Sequence, residues 1–223
     1  MIDPSRVKAI CFDVDGTLSD TDDEWVAQVE RRLRALKIFL SIESLHLLAR
    51  WLVMATETPM NILYRVLEVM SLDDHFAPLY ENLIRRRKFS QTPFWLMNGA
   101  QATLTVLEKK FPLSIVSARD ELTTQSFINQ FSFESYFRVV VTSQTCEHTK
   151  PNPQPVLWAA EKMEVPPENC LMVGDTTVDI LAGKAAGAQT VGLLCGFGTE
   201  RELRWAGADL VLKELPELVH YLE

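Results

Sequence analysis

Val7-Lys8-Ala9-Ile10-Cys11-Phe12-Asp13-Val14-Asp15-Gly16-Thr17-Leu18 is the stretch on which the reading of the fold turns. Its apolar residues run on without alternating, as in a strand covered on both faces of a parallel sheet. The run stops at two aspartates one residue apart. Residues i and i+2 of an extended chain point the same way, so Asp13 and Asp15 both face one crevice at the strand end. Gly16-Thr17 then bends the chain sharply away.

Working outward, further runs of the same kind follow: LSIVSA (113–118), RVVVTS (138–143), CLMVGD (170–175), TVGLLC (190–195) and ADLVLKEL (208–215). Amphipathic stretches such as GAQATLTVLEKKF, PQPVLWAAEKM and TTVDILAGKAAGA separate them, the last followed by Gly187 as a helix C-cap. Alternating strands and helices give βαβ units with right-handed crossovers, hence an α/β fold with a doubly wound parallel sheet. The alternation breaks once, after Leu18. From there to about Pro93 the pattern is helical, in roughly four segments, with breaks near Pro59 and Ser71–Asp74. The expected organisation is an α/β core of residues 1–18 and 93–223 with an all-helical insert of residues 19–92. Its hinges are expected near Leu18–Asp20 and Ser90–Pro93.

The net charge of −8, from 30 acidic and 22 basic residues, repels a polyphosphate backbone and excludes nucleic acid as a general partner. A small anion remains admissible if a lysine, a metal ion or helix N-termini make its site locally positive. Cys11, Cys146, Cys170 and Cys195 form no CxxC pair, and three of them sit in apolar runs, as in a reduced, cytoplasmic protein. The N-terminus lacks a leader pattern. The most apolar long segment, 33–56, is interrupted by Arg34, Lys37, Glu43, His46 and Arg50, so no membrane span is expected. His46, His75, His148 and His220 are scattered, without metal-binding spacing.

Ligands of open parallel sheets bind at the C-terminal ends of the strands. Gathered there are Asp13 and Asp15, Ser117, and Asp175 with Asp179 four residues on. Lys150 stands in a Lys-Pro-Asn-Pro turn before a helix. Clustered carboxylates repel one another unless a cation neutralises them, and hard oxygen donors favour Mg²⁺. A hydroxyl from Ser117 and the Lys150 ammonium complete a pocket for a phosphoryl group.

In the motifs DxDGTL (Asp13 to Leu18), a strand ending in Ser117, Lys150 in KPxP, and GDxxxD (Asp175 to Asp179), the sequence resembles the haloacid dehalogenase-like superfamily. The motifs occur in that family's order, and the resemblance covers about two-thirds of the chain. The tail, from GAQTVGLLCGFGTERELRWAGADL onward, is similar to the phosphoglycolate-phosphatase-like branch, in which a helical cap follows the first motif. The resemblance implies a Rossmann-like core and a Mg²⁺-dependent phosphatase acting on a small phosphorylated metabolite. It implies that Asp13 is the nucleophile and becomes an aspartyl phosphate, and that Asp15 is the general acid and base. It further implies that Thr17, Ser117 and Lys150 bind the phosphoryl oxygens. Asp13, the Asp15 carbonyl and Asp175 would hold the metal, with Asp179 orienting a metal-bound water or Lys150.

Two other readings share these residues: a phosphomutase on the same core, and a non-catalytic scaffold that has kept the fold. Substrate discrimination is expected in the helical insert, whose apolar surface also admits a dimer contact, so the chain is read as a monomer or homodimer. The run Arg85-Arg86-Arg87-Lys88 reads as a solvated helix end, with an anion clamp as the alternative. Arg119 reads as a surface or ion-paired residue, with reach to substrate as the alternative.

Overall fold

The structure, a computed structural model, describes residues 2–20 and 94–222. The chain divides into two units, residues 1–22 with 94–223 and residues 23–93, and the described residues belong to the first. The expected helical insert therefore lies outside the described residues except for its first two positions. Those two, Ser19 and Asp20, hydrogen-bond within the core unit. Ser19 bridges antiparallel to Leu96, and the Asp20 amide donates to the Trp95 carbonyl at 2.8 Å.

All six expected strands form, at shorter bounds: β1 (Ala9–Phe12), β2 (Leu113–Val116), β3 (Phe137–Val141), β4 (Cys170–Gly174), β5 (Gln189–Leu193) and β6 (Leu210–Leu212). Every pairing is parallel, and the order is β3-β2-β1-β4-β5-β6. This is the doubly wound arrangement, with the direction of winding reversing between β1 and β4. The helices are α1 (Ala100–Leu107), α2 (Glu121–Phe131), α3 (Gln154–Met163), α4 (Thr177–Ala186), α5 (Glu200–Trp205) and α6 (Glu217–Leu222). None of the described helices is long and apolar enough to cross a membrane.

Period-two geometry sorts the central strand into two cores. Ile10 and Phe12 pack with Leu104, Phe127 and Leu218, whereas Ala9 and Cys11 pack with Val156, Ala160 and Ala182 on the opposite face. Both faces are covered, so β1 shows no polar alternation. All four cysteines are free thiols.

Side-chain caps set the starts of α2, α4 and α5. Asp120 accepts from the Thr123 amide at 3.0 Å to begin α2, and Thr199 with Glu202 forms a capping box at α5. Gly187, at φ 83°, closes α4 in the left-handed conformation foreseen for it.

Between α2 and β3 the core is aromatic. The Phe127 ring meets Phe94, Phe131 and Phe133 edge-on at centroid distances of 5.7, 5.4 and 6.1 Å. Phe127 is fully buried, so Phe127→Ala empties a site with rings on several sides. The expected cost is about 3–5 kcal/mol in urea unfolding. A loss below about 1 kcal/mol would show that these rings do not form a packed unit.

Candidate active site

The crevice above the β1/β4 switch is built from backbone upward. The Asp13 amide donates to the Val173 carbonyl at 2.9 Å, so β1 and β4 are still paired where the first aspartate leaves the sheet. The chain then turns tightly, with the amides of Leu18 and Ser19 both donating to the Val14 carbonyl at 2.9 and 2.8 Å. Gly16 sits at φ 72°, and a Cβ on it would lie 2.3 Å from Asp175 Oδ2. The turn therefore needs glycine twice over, for its conformation and for its approach to the carboxylate.

At the heart of the site lies Lys150. Its Nζ is 2.8 Å from Asp13 Oδ1 and donates to Asp179 Oδ1 at 2.6 Å, and all three residues are buried. Burial works against the ammonium, but Asp13 and Asp179 outweigh it and hold the lysine above its usual range, hence charged. Asp179 Oδ2 accepts from both the Thr176 amide (3.0 Å) and its hydroxyl (2.6 Å), a capping box at the start of α4. Asp179 thus serves helix start and lysine together.

Asp175, fully buried, directly follows the last residue of β4. Its Oδ1 accepts from the Thr17 hydroxyl at 3.2 Å and its Oδ2 from the Phe197 amide at 2.8 Å. The Gly198 amide donates to the Asp175 carbonyl at 3.1 Å. In the sequence the Cys195-Gly196-Phe197-Gly198 loop carried the resemblance of the tail but no role in the site. A Cβ on Gly196 would lie 2.2 Å from Asp175 Oδ2, so the paired glycines after β5 were the signal. Thr17, expected to bind phosphate, has its hydroxyl proton directed to Asp175.

Asp15 faces Arg119. Nε donates to Oδ2 at 2.6 Å and Nη2 donates to Oδ1, a two-bond fork. The ion-paired reading of Arg119 is the one the structure bears out. Ser117 is buried just past β2, where its hydroxyl accepts from the Arg119 amide at 3.2 Å. Asp13, Lys150, Asp175 and Asp179 therefore form one buried group, with Asp15 paired to Arg119 beside it. Arg85–Lys88 lie outside the described residues.

Asp13, Asp175 and Asp179 each offer an oxygen, and these lie within 4.8 Å of one another. With one lysine among three carboxylates the group carries a formal charge of −2, and its donors are all hard oxygen. A small divalent cation fits such a set.

Burial, offset in part by Lys150 and reinforced by Asp179 and Asp15, pushes the metal-free Asp13 carboxyl up to about 7. Unfolded, it releases its proton near 3.8, so between these values the fold retains a proton that the unfolded chain has lost. This contribution to stability is full below the lower value and is lost as pH rises through the upper one. A cation held by Asp13 would have to displace that proton. Mg²⁺ should therefore raise the melting temperature more at about pH 8 than at about pH 5.5. Equal shifts in scanning fluorimetry would contradict the assignment of Asp13 as a ligand.

The family described as haloacid dehalogenase-like hydrolase matches residues 10–193. A phosphoglycolate phosphatase of Shigella dysenteriae is 26% identical over 232 residues, spanning 96% of this chain and 91% of the relative. Among solved structures, a predicted phosphoglycolate phosphatase from Haemophilus somnus superposes with a TM-score of 0.67 at 20% identity, covering 98% of this chain and 99% of the other. A hydrolase from Pseudomonas syringae gives 0.65 at 27% identity, covering 96% and 97%. With a matching profile over most of its length, a doubly wound sheet and the aspartates at its switch point, this chain belongs to the haloacid dehalogenase-like hydrolases.

Proposed function

We propose that this hydrolase is a Mg²⁺-dependent phosphomonoesterase that works through an aspartyl phosphate on Asp13. The observation that carries the reading is the buried Asp13–Lys150–Asp179 group beside Asp175 at the switch point. A scaffold has no use for so costly a burial of charge, and it has no need to keep every group that the chemistry requires.

Lys150 holds Asp13 Oδ1 and leaves Oδ2 to attack phosphorus. As the Oδ2–phosphorus bond forms, the bond to the leaving oxygen breaks, and Asp15, entering the cycle protonated with one of its two Arg119 bonds open, gives that oxygen its proton. Water then attacks the aspartyl phosphate, Asp15 takes the proton back, and Asp13 is regenerated as inorganic phosphate departs. Ser117 and the Lys150 ammonium bind phosphoryl oxygens throughout. Asp13, Asp175 and the Asp15 carbonyl would hold the Mg²⁺, with Asp179 setting the position of Lys150; the ion, when bound, supplies charge compensation between nucleophile and phosphoryl group.

The substrate is a small phosphorylated metabolite, and the name of the Shigella relative makes 2-phosphoglycolate the first to try. Asp13→Asn keeps side-chain volume but removes the nucleophile. Its phosphate release should fall below about 1% of wild type while a single cooperative unfolding transition is retained. The wild-type enzyme should lose activity in excess chelator and regain it with Mg²⁺. Retained turnover in either case would refute the mechanism.

A further inference from the structure

Two residues beyond Ser117, the chain places Arg119 with its main chain fixed on both sides. Its amide donates to Ser117 Oγ, and its carbonyl accepts from the Ser143 amide at 2.9 Å. Its guanidinium donates through Nε and Nη2 to the two oxygens of Asp15. The guanidinium carbon stands 4.9 Å from the centroid of the Phe94 ring.

Phe94 is itself immobilised. Its amide donates to Gln130 Oε1 at 2.9 Å, its carbonyl accepts from Gln130 Nε2 at 2.7 Å, and its ring meets the buried Phe127 edge-on. An unbroken line of packed groups thus runs from the aromatic core through Phe94 and Arg119 to Asp15. Arg119 is the deeper partner, with 13% of its side chain exposed against 33% for Asp15.

A single hydrogen bond lets a carboxylate swing about its last torsion. A planar fork with two parallel bonds does not, and a guanidinium backed by an aromatic face keeps that fork still. We infer that Arg119, backed by Phe94, is a positioning residue that aims the Asp15 carboxylate at the leaving oxygen and at the attacking water. The fork sets the carboxylate plane, and one of its two bonds is open only while Asp15 carries the proton. The inference rests on the proposed role of Asp15 as proton carrier and adds the device that orients it.

Because Arg119 acts through Asp15, its removal should matter only where Asp15 matters. The kcat/KM for an alkyl phosphate such as 2-phosphoglycolate depends on protonation of the leaving oxygen. For 4-nitrophenyl phosphate, whose leaving group departs as a stable anion, it depends on it far less. Both esters would be assayed with wild type, Arg119→Met, Asp15→Asn and the double variant.

The expected result is a loss of about tenfold or more for the alkyl ester in Arg119→Met, a much smaller loss for the nitrophenyl ester, and no further loss on adding Arg119→Met to Asp15→Asn. Arg119→Lys keeps the charge but not the fork and should reproduce the pattern, which covers a failure of the methionine variant to fold. Equal losses on both esters, or losses that multiply in the double variant, would overturn the inference and assign Arg119 to substrate or to stability. If Asp15→Asn alone leaves the alkyl ester unaffected, the proposed role of Asp15 falls, and the inference falls with it.

Discussion

Carboxylates gathered in a buried crevice repel one another and lose their hydration, and in this protein the ammonium of Lys150 offsets both costs at once. It lies 2.8 Å from Asp13 and 2.6 Å from Asp179, so the nucleophile candidate and the first turn of α4 are tied to one point charge. Removing that charge would leave the aspartates uncompensated at low dielectric, which costs far more than a surface ion pair. β1 and β4 stay paired up to the Asp13 amide, so the nucleophile candidate leaves the sheet from a fixed point.

Asp175 is held by a different device. It receives a hydroxyl from Thr17 and an amide from Phe197, and its surroundings are kept close by the absence of side chains at Gly16 and Gly196. Neutral donors orient a carboxylate while leaving its charge uncancelled. In one small crevice Lys150 therefore compensates Asp13 and Asp179, while the Thr17 hydroxyl and the Phe197 amide orient Asp175.

Much of this was legible beforehand. Continuous apolar runs such as Ala9–Phe12 and Cys170–Gly174 are what two-sided burial demands, and six such runs became six parallel strands. Asp13, Lys150, Asp175 and Asp179 carried enough chemistry in their spacing to be picked out, and they came together. The Phe197 amide did not announce itself, because a main-chain donor has no residue identity to read. Nor did the backing of Arg119 by Phe94, since the two are separated by a strand and a helix and share no periodic pattern. Thr17 was legible as a polar residue near the site, but the target of its hydroxyl was decided by where β4 ends.

By itself the sequence determined the class of fold, the order of the strands along the chain and the identity of the charged residues, because each depends on local periodicity or on side-chain chemistry. Tertiary structure alone decided the pairings among those charges. Whether Lys150 compensates Asp13, Asp179 or both, and whether Arg119 turns to Asp15 or to solvent, depends on distances between strand ends that lie far apart in the chain. Coulombic and hydrogen-bond energies fall steeply over an ångström or two, so such pairings exist only once the sheet has brought the strand ends together.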